Sequence, residues 1–354
     1  MSQVEMKKES KIEKVKAMPT KDKVRMVSDF MMNNAMFIII AIAVLFIYIR
    51  VPSFLSLPSI VNIVNLTMAK LPIALGVGGC IILAGTDISA GRQVGLAACI
   101  SAGLQLTANK LFPGLEIMPI PVVLAIILCV GAVIGLVNGF FMAKFKLHPF
   151  IVTLSTQLIV YGLVLMFMQL GTNSGQTLSG MSEQYREFVV GTLFKVGNTA
   201  VPNYVLYSAL IAVVVWIIWN KTTFGKNMYA VGSNEDAANV SGVNVSKTII
   251  MVFIMAGMLY ALTGFFDAAR IASVNATTGM NYESDAIAAC VIGGISFVGG
   301  IGKVSGAIIG VLLLQVIFVG LNFLSVDANL LYIVKGVIIL LACSIDMRKY
   351  LVRK

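Results

Sequence analysis

The chain reads as an all-α polytopic membrane protein of about ten transmembrane helices, and three observations carry that reading. Residues 31–345 hold about ten apolar stretches, most of them 17–25 residues long and separated by short polar breaks. A hydrocarbon layer about 30 Å thick takes about 20 helical residues to cross. Only helices or closed barrels satisfy their backbone in lipid, and these runs are too long and too evenly apolar for barrel strands. Composition agrees: 58% of residues are hydrophobic and 12% charged, with 32 glycines. A soluble domain carries about 25% charge, so too little is present here to cover a water-facing surface.

The expected spans are 31–49, 59–84, 88–108, 118–143, 149–170, 202–219, 247–269, 285–299, 304–323 and 328–345. The eighth is short, which marks a broken or re-entrant element rather than a full crossing. The net charge of +10 sits mainly at the ends: eight Lys or Arg lie between Lys7 and Arg25 and four follow Asp346. Basic ends beside membrane spans orient the chain and touch anionic lipid, which argues against nucleic acid as a partner. Short-loop charges set the orientation. Arg92, Lys144, Lys146, Lys221, Lys226, Lys247 and Lys303 fall on the side of both termini, against Arg50, Lys110, Arg186, Lys195 and Arg270 on the other. Both termini are therefore expected in the cytoplasm. The organisation is a charged tail (1–28), a transmembrane domain (29–346) and a basic tail (347–354). The polar start shows no cleavable signal peptide, so the first span is expected to anchor directly.

An internal repeat links the halves. Gly85-Thr86-Asp87-Ile88-Ser89-Ala90-Gly91 resembles Gly294 to Gly300, and Arg92-Gln93-Val94-Gly95 lines up with Lys303-Val304-Ser305-Gly306 after a two-residue insertion. Each copy runs apolar span, glycine-rich break, basic residue, then a span with small residues every fourth position. The basic residue gives both copies the same orientation, so the repeat is parallel. The stripes are Gly91/Gly95/Cys99/Gly103, Gly302/Gly306/Gly310 and a third, Gly131/Gly135/Gly139. Small residues at that spacing let helices approach closely in lipid, and transporters place their path at repeat interfaces lined by interrupted helices.

Catalytic chemistry is not visible. The lone histidine, His148, precedes Pro149 at a membrane boundary, and the five cysteines fall inside apolar runs without ligand spacing. No metal site is predicted. The run Gly294–Lys303 fails as a phosphate loop, because Phe297 stands where glycine is needed and Val304 where Ser or Thr is needed. Ionisable groups within spans are Asp87 and Asp285 near span ends, Asp267 and Arg270 near an outer end, and Lys335 deeper in the last span. Intramembrane charge flags function, yet mostly boundary residues make a poor ion relay. The driving energy must come from elsewhere, or the chain is a passive channel.

Two hydrophilic loops exceed connector length, the outer 171–201 and the inner 220–246. Within the inner loop, Asn234 is a good N-cap, Glu235 and Asp236 suit the first turn, and Gly242 supplies a stop. The result is a helix of about seven residues with a small-residue face of Ala237, Ala238 and Ser241, marginal alone and in need of a surface to dock on.

These marks together resemble the membrane permease of bacterial sugar ABC importers, in the ribose/galactose branch of the binding-protein-dependent permeases. The resemblance runs from about residue 31 to the end. It rests on Gly85–Gly91, on Tyr229–Asn234 with Ala237-Ala238 and Ser241-Gly242-Val243, on Asp285–Ala289 through Gly293-Gly294 to Gly299-Gly300, and on Tyr332–Gly336. The insert Ala90–Leu96 resembles most the galactose/methyl-galactoside permeases, whereas Val298 and Ser284 depart from the frequent residues. The resemblance implies two copies forming the pore, an ATPase with two fused nucleotide-binding halves that uses ATP and Mg, and a sugar-binding protein outside. No cofactor belongs to this chain. It also implies an ATPase-coupling element at Gly232, Asn234, Glu235, Ala237, Ala238, Ser241 and Gly242. The translocation path and its gating are expected at Asp87, Ser89, Gly91, Asp285, Gly294, Gly300 and Lys335, and candidate sugar contacts are Asn62, Asn65, Gln157, Asn275 and Asn281. Two rival readings stay open: an ATPase-independent carrier or channel, and a membrane-embedded enzyme.

Overall fold

The computed structural model describes residues 35–171 and 173–351. The charged segment 1–28, the start of the first expected span and residues 352–354 of the basic tail lie outside them. The fold is largely helical. In chain order the helices are α1 (Ala35–Arg50), α2 (Leu57–Ile82), α3 (Ala90–Gln105), α4 (Ile120–Phe145), α5 (Pro149–Met168), α6 (Glu183–Val190), α7 (Asn203–Lys221), α8 (Thr223–Ser233), α9 (Glu235–Val240), α10 (Val245–Ile271), α11 (Tyr282–Ile292), α12 (Val304–Phe323) and α13 (Ala328–Leu351). Six of them, α2, α4, α5, α7, α10 and α12, are long and apolar enough to cross a membrane. Their starts and ends follow the apolar runs to within a few residues.

Burial sorts the helices. Fourteen of the 16 residues of α3 are buried, so α3 is the central post, wrapped by α10, α5, α4 and the segment before α11. By contrast α4, α5 and α7 leave large apolar side chains such as Leu136, Leu158 and Val213 exposed, as a lipid-facing wall requires. Backbones touch at glycines. A Cβ on Gly131 or Gly135 of α4 would overlap the carbonyl oxygen of Gly257 or Phe253 in α10, and one on Gly139 would lie 2.7 Å from Ile250 Cα. Gly306 and Gly310 of α12 meet the carbonyls of Gly293 and Ala289 in the same way.

The two ends of the bundle differ. At one end, β1 (Leu178–Ser179) pairs with β4 (Ser273–Val274), and β2 (Thr192–Val196) with β3 (Thr199–Pro202), all antiparallel. Helix α6 packs beneath them through Tyr185, whose hydroxyl donates to Phe265 O at 2.5 Å. The other end, about 28 Å away along the 19 residues of α7, carries α8 and α9.

The eighth expected element, 285–299, is an 11-residue helix, Tyr282–Ile292, about 16 Å long and too short to cross, in line with the broken or re-entrant reading, while two other expectations need correction. Residues 275–281 before it run in extended and turn geometry alongside α3, with Gly279 against Gly91. The inner loop holds two helices rather than one: Thr222 caps α8 by accepting from Gly225 N–H at 3.1 Å, and α9 has six residues. Arg92, counted with the inner-side charges at the start of the span 88–108, stands in the first turn of α3 inside the bundle.

Candidate functional site

The helix ends at the two glycine-rich breaks close identically. After α2, Gly85 N–H donates to Cys80 O at 3.0 Å and Ala84 N–H to Ile81 O at 2.8 Å; after α11, Ile295 donates to Cys290 O and Gly294 to Val291 O, both at 2.9 Å. Ala84 and Gly294 are left-handed, with φ of 58° and 83°. This pair of bonds is the Schellman stop, and it matches Ala84 rather than Gly85 to Gly294.

Helix α8 joins the breaks. Gly232 lies so close to Ile82 that a Cβ would overlap its carbonyl oxygen, and the same oxygen accepts from Gly300 N–H at 2.8 Å. Gly299 packs on Gly232 and Ala84, and Gly300 on Ser233. Tyr229 donates to Gly302 O at 2.9 Å; burial raises its phenol above the ordinary range. The C-terminal turn of α8 is thus wedged between both breaks. From there Asn234 caps α9, accepting from Ala237 N–H at 2.8 Å, and Gly242 ends the turn at φ 84°. Of the expected small-residue face only Ala238 is buried; Ala237 and Ser241 are exposed, and Glu235 forms an exposed pair with Lys146 at 3.8 Å. Val240 stands 89% exposed at the tip.

Asp87 and Ser89 sit in a buried polar knot. Asp87 Oδ1 accepts from Ser89 N–H and Oγ–H; Ser89 Oγ accepts from Gln93 Nε2 at 2.9 Å and Asn138 Nδ2 at 3.2 Å; Thr156 donates to Asn138 Oδ1 at 2.6 Å. The knot ties the first break to α3, α4 and α5. Gly91 faces Gly279 and the Glu283 carboxylate, with no room for a side chain.

A charge cluster surrounds α11. Lys335 of α13 meets Asp285 at 2.9 Å. Lys70 of α2 lies 3.4 Å from Asp267 of α10 and 2.8 Å from the Tyr282 ring centre, and Arg270 meets Asp267 at 2.8 Å. Sequence reasoning passed over Lys70, Tyr282 and Glu283. Lys70 could have been found, because a lysine inside the run 59–84 is an intramembrane charge.

The candidate sugar contacts do not form one group. Asn65 Nδ2 is committed to Ala200 O at 3.2 Å, and Asn62 is exposed on α2 three residues earlier. Gln157 lies on α5, one turn before Tyr161, and Asn275 and Asn281 lie on the segment that leads into α11, Asn281 in the left-handed conformation. His148 Nδ1 accepts from Phe150 N–H at 3.3 Å and caps α5. Among the described residues no group of three or more His, Cys, Asp or Glu side chains could hold a metal ion.

The arrangement is that of a conduit, a helix bundle with interrupted, polar-lined elements and a wedge at one end. Comparison with known proteins agrees. A family model described as branched-chain amino acid transport system / permease component matches residues 59–343. The galactose/methyl galactoside import permease protein MglC of Haemophilus influenzae is 44% identical over 329 residues, covering 92% of this chain and 97% of that protein. Its namesake from Escherichia coli K12 is 42% identical over 329 residues, with the same coverage of 92% and 97%. The ribose import permease protein RbsC of Haemophilus influenzae is 32% identical over 318 residues, covering 90% and 94%. No solved structure gives a significant match. The chain therefore belongs to this family of permease components, the one that includes those import permeases, and is itself a polytopic membrane permease of the ABC import type, the transport subunit and not the ATPase.

Proposed function

We propose that this permease carries a sugar inward across the bacterial cytoplasmic membrane, with galactose or a methyl galactoside as cargo and ribose or another monosaccharide as the alternative. In this reading two copies form the pore and a separate ATPase with two fused nucleotide-binding halves supplies the energy. A sugar-binding protein docks at the end that carries the short sheets. Ten membrane elements arranged as a parallel repeat, with both termini cytoplasmic, complete the picture, and the matching Schellman stops after Cys80 and Cys290 support the repeat. The charged 1–28 segment and the 347–354 tail act as anchors on anionic lipid.

The observation that carries the proposal is the wedge. Helix α9 is the ATPase-coupling plug, exposed on most of its surface, and it continues directly from α8, whose Gly232 touches both breaks. A pull on α9 therefore acts on Ile82–Ala84 and Gly299–Gly300 together. Asp87, Ser89, Gly91, Asp285, Gly294, Gly300 and Lys335 are the groups whose surroundings change when the breaks move. Sugar uptake into vesicles holding the permease, the ATPase and the binding protein, dependent on ATP and on all three, is the expected result. Uptake by the permease alone under a proton or sodium gradient would favour the ATPase-independent carrier and overturn the proposal.

A further inference from the structure

Arg92 is a membrane-depth guanidinium that interacts with the Glu283 carboxylate beside Gly91 without forming a close ion pair. Pro149, at the start of α5, packs beside Gly85. Tyr161 lies twelve residues further along that helix, about 18 Å from that level and past the middle of a hydrocarbon layer about 30 Å thick. The Arg92 guanidinium stacks over the Tyr161 ring, 4.1 Å from its centre, and donates from Nη1 to Ala276 O at 3.2 Å. No ion pair within 4.0 Å involves Arg92 among the described residues. Both side chains are half-exposed, as is Gln157 one turn below Tyr161, and the segment opposite exposes Asn275 and Thr277. Lipid cannot solvate such a face. It has to meet water or a polar solute.

We propose that Arg92, Tyr161 and Gln157 form a sugar-contact site midway along the translocation path. Neighbouring hydroxyls of a monosaccharide present acceptors to a planar fork of N–H donors, and the electron-rich ring face suits the C–H side of the sugar. Gln157 adds an amide that can both donate and accept. Stacking on Tyr161 and the bond to Ala276 O hold the guanidinium in place and use only part of its set of N–H donors. The inference rests on the sugar-permease reading and names where in that path the cargo is held.

The test uses the complete transporter in vesicles: permease, ATPase and binding protein, with Arg92→Gln, Arg92→Lys and Tyr161→Leu. Sugar delivered per ATP hydrolysed is expected to fall about tenfold or more in Arg92→Gln, the scale of one hydrogen bond to a charged group. Tyr161→Leu is expected to fall similarly and Arg92→Lys by less, because lysine keeps the charge and the Ala276 bond. The order of preference among sugars that the binding protein accepts equally shifts in all three, while assembly and binding-protein-stimulated ATP hydrolysis stay at the wild-type level. Unchanged delivery and preference in Arg92→Gln and Tyr161→Leu would overturn the site. So would loss of assembly and ATP hydrolysis in proportion to delivery in all three, the mark of a structural role. A wild-type transporter that moves no sugar defeats the underlying reading instead, and that result is separate from either.

Discussion

Replacing Gly232 by alanine adds one methyl group where the backbone leaves no room for it. The new Cβ would overlap the Ile82 carbonyl oxygen and come within 2.9 Å of Gly300 N. Both neighbours are main chain, so neither can rotate aside, and the contact has to open. Opening it breaks the Gly300 N–H to Ile82 O bond of 2.8 Å, a loss of about 0.5–1.5 kcal/mol, and overpacking adds about 1–3 kcal/mol. A combined cost of about 1.5–4.5 kcal/mol shifts the closed junction about 10- to 2000-fold toward the open one. The damage is local, since the glycine contacts between α4 and α10 lie on other helices.

Gly232→Ala is therefore expected to insert, bind the ATPase and hydrolyse ATP, yet to deliver at least tenfold less sugar per ATP. Co-purification with the ATPase, ATP turnover and uptake measured on one preparation read this out. Gly114→Ala is the control. Its site has φ 91° and open space for a Cβ, so it costs about 1 kcal/mol of backbone strain without touching the breaks or the plug. Wild-type delivery per ATP in Gly232→Ala, or an equal loss in both variants, would refute the wedge.

The remaining predictions concern the charge cluster and the plug. Asp267→Asn leaves Lys70 and Arg270 facing each other without the carboxylate that both contact. A loss of about 3–5 kcal/mol is expected, read as a lower unfolding temperature in detergent; an unchanged transition counts against the cluster as a structural tie. Asp285→Asn strands the Lys335 ammonium, at a cost of about 1–3 kcal/mol. The exchange Asp285→Lys with Lys335→Asp should recover more than half of the lost stability, and no recovery would mean that the pair at 2.9 Å contributes little. Val240→Glu puts a charge on the most exposed apolar tip of α9. ATPase co-purification should fall at least tenfold with no change in unfolding temperature, and undiminished binding would move the plug elsewhere.

Much of the fold was legible because crossing lipid demands long apolar runs, and α2, α4, α5, α7, α10 and α12 match those runs closely. The short helix α9 was legible for a different reason: the Asn234 cap, its two acidic followers and Gly242 state a start and a stop that the structure keeps. What stayed hidden depended on contacts between distant segments. Gly225 and Gly232 look like helix breakers, yet they sit inside α8 because Ile218, Trp219 and Ile82 carbonyls pass at contact distance. Arg92 looked like an inner-side charge at the start of the span 88–108. Its stacking on Tyr161 depends on how α3 meets α5, which no local pattern encodes. The segment 275–281 is polar and turn-rich and falls between two expected spans, whereas Gly91 and Gly95 without side chains open a slot along α3 that admits it.

The glycine contacts also separate what is stiff from what can move. Gly131, Gly135 and Gly139 join α4 to α10, and Gly306 and Gly310 join α12 to α11, in each case backbone against backbone. Helices held this closely shift as pairs, since a small slide costs overlap along the whole stripe. Other connections are different in kind: the break after α2 leads into α3, the break after α11 leads into α12, and the ion pairs of Lys70 and Lys335 tie α2 to α10 and α13 to α11. Both breaks turn through left-handed residues, Ala84 in one and Gly294, Gly299 and Gly300 in the other. Helix α8 presses on these connectors through Gly232, Ser233 and Tyr229, and it also packs against α10. A displacement of α8 would therefore reach both breaks, at Ile82–Ala84 and at Gly299–Gly300.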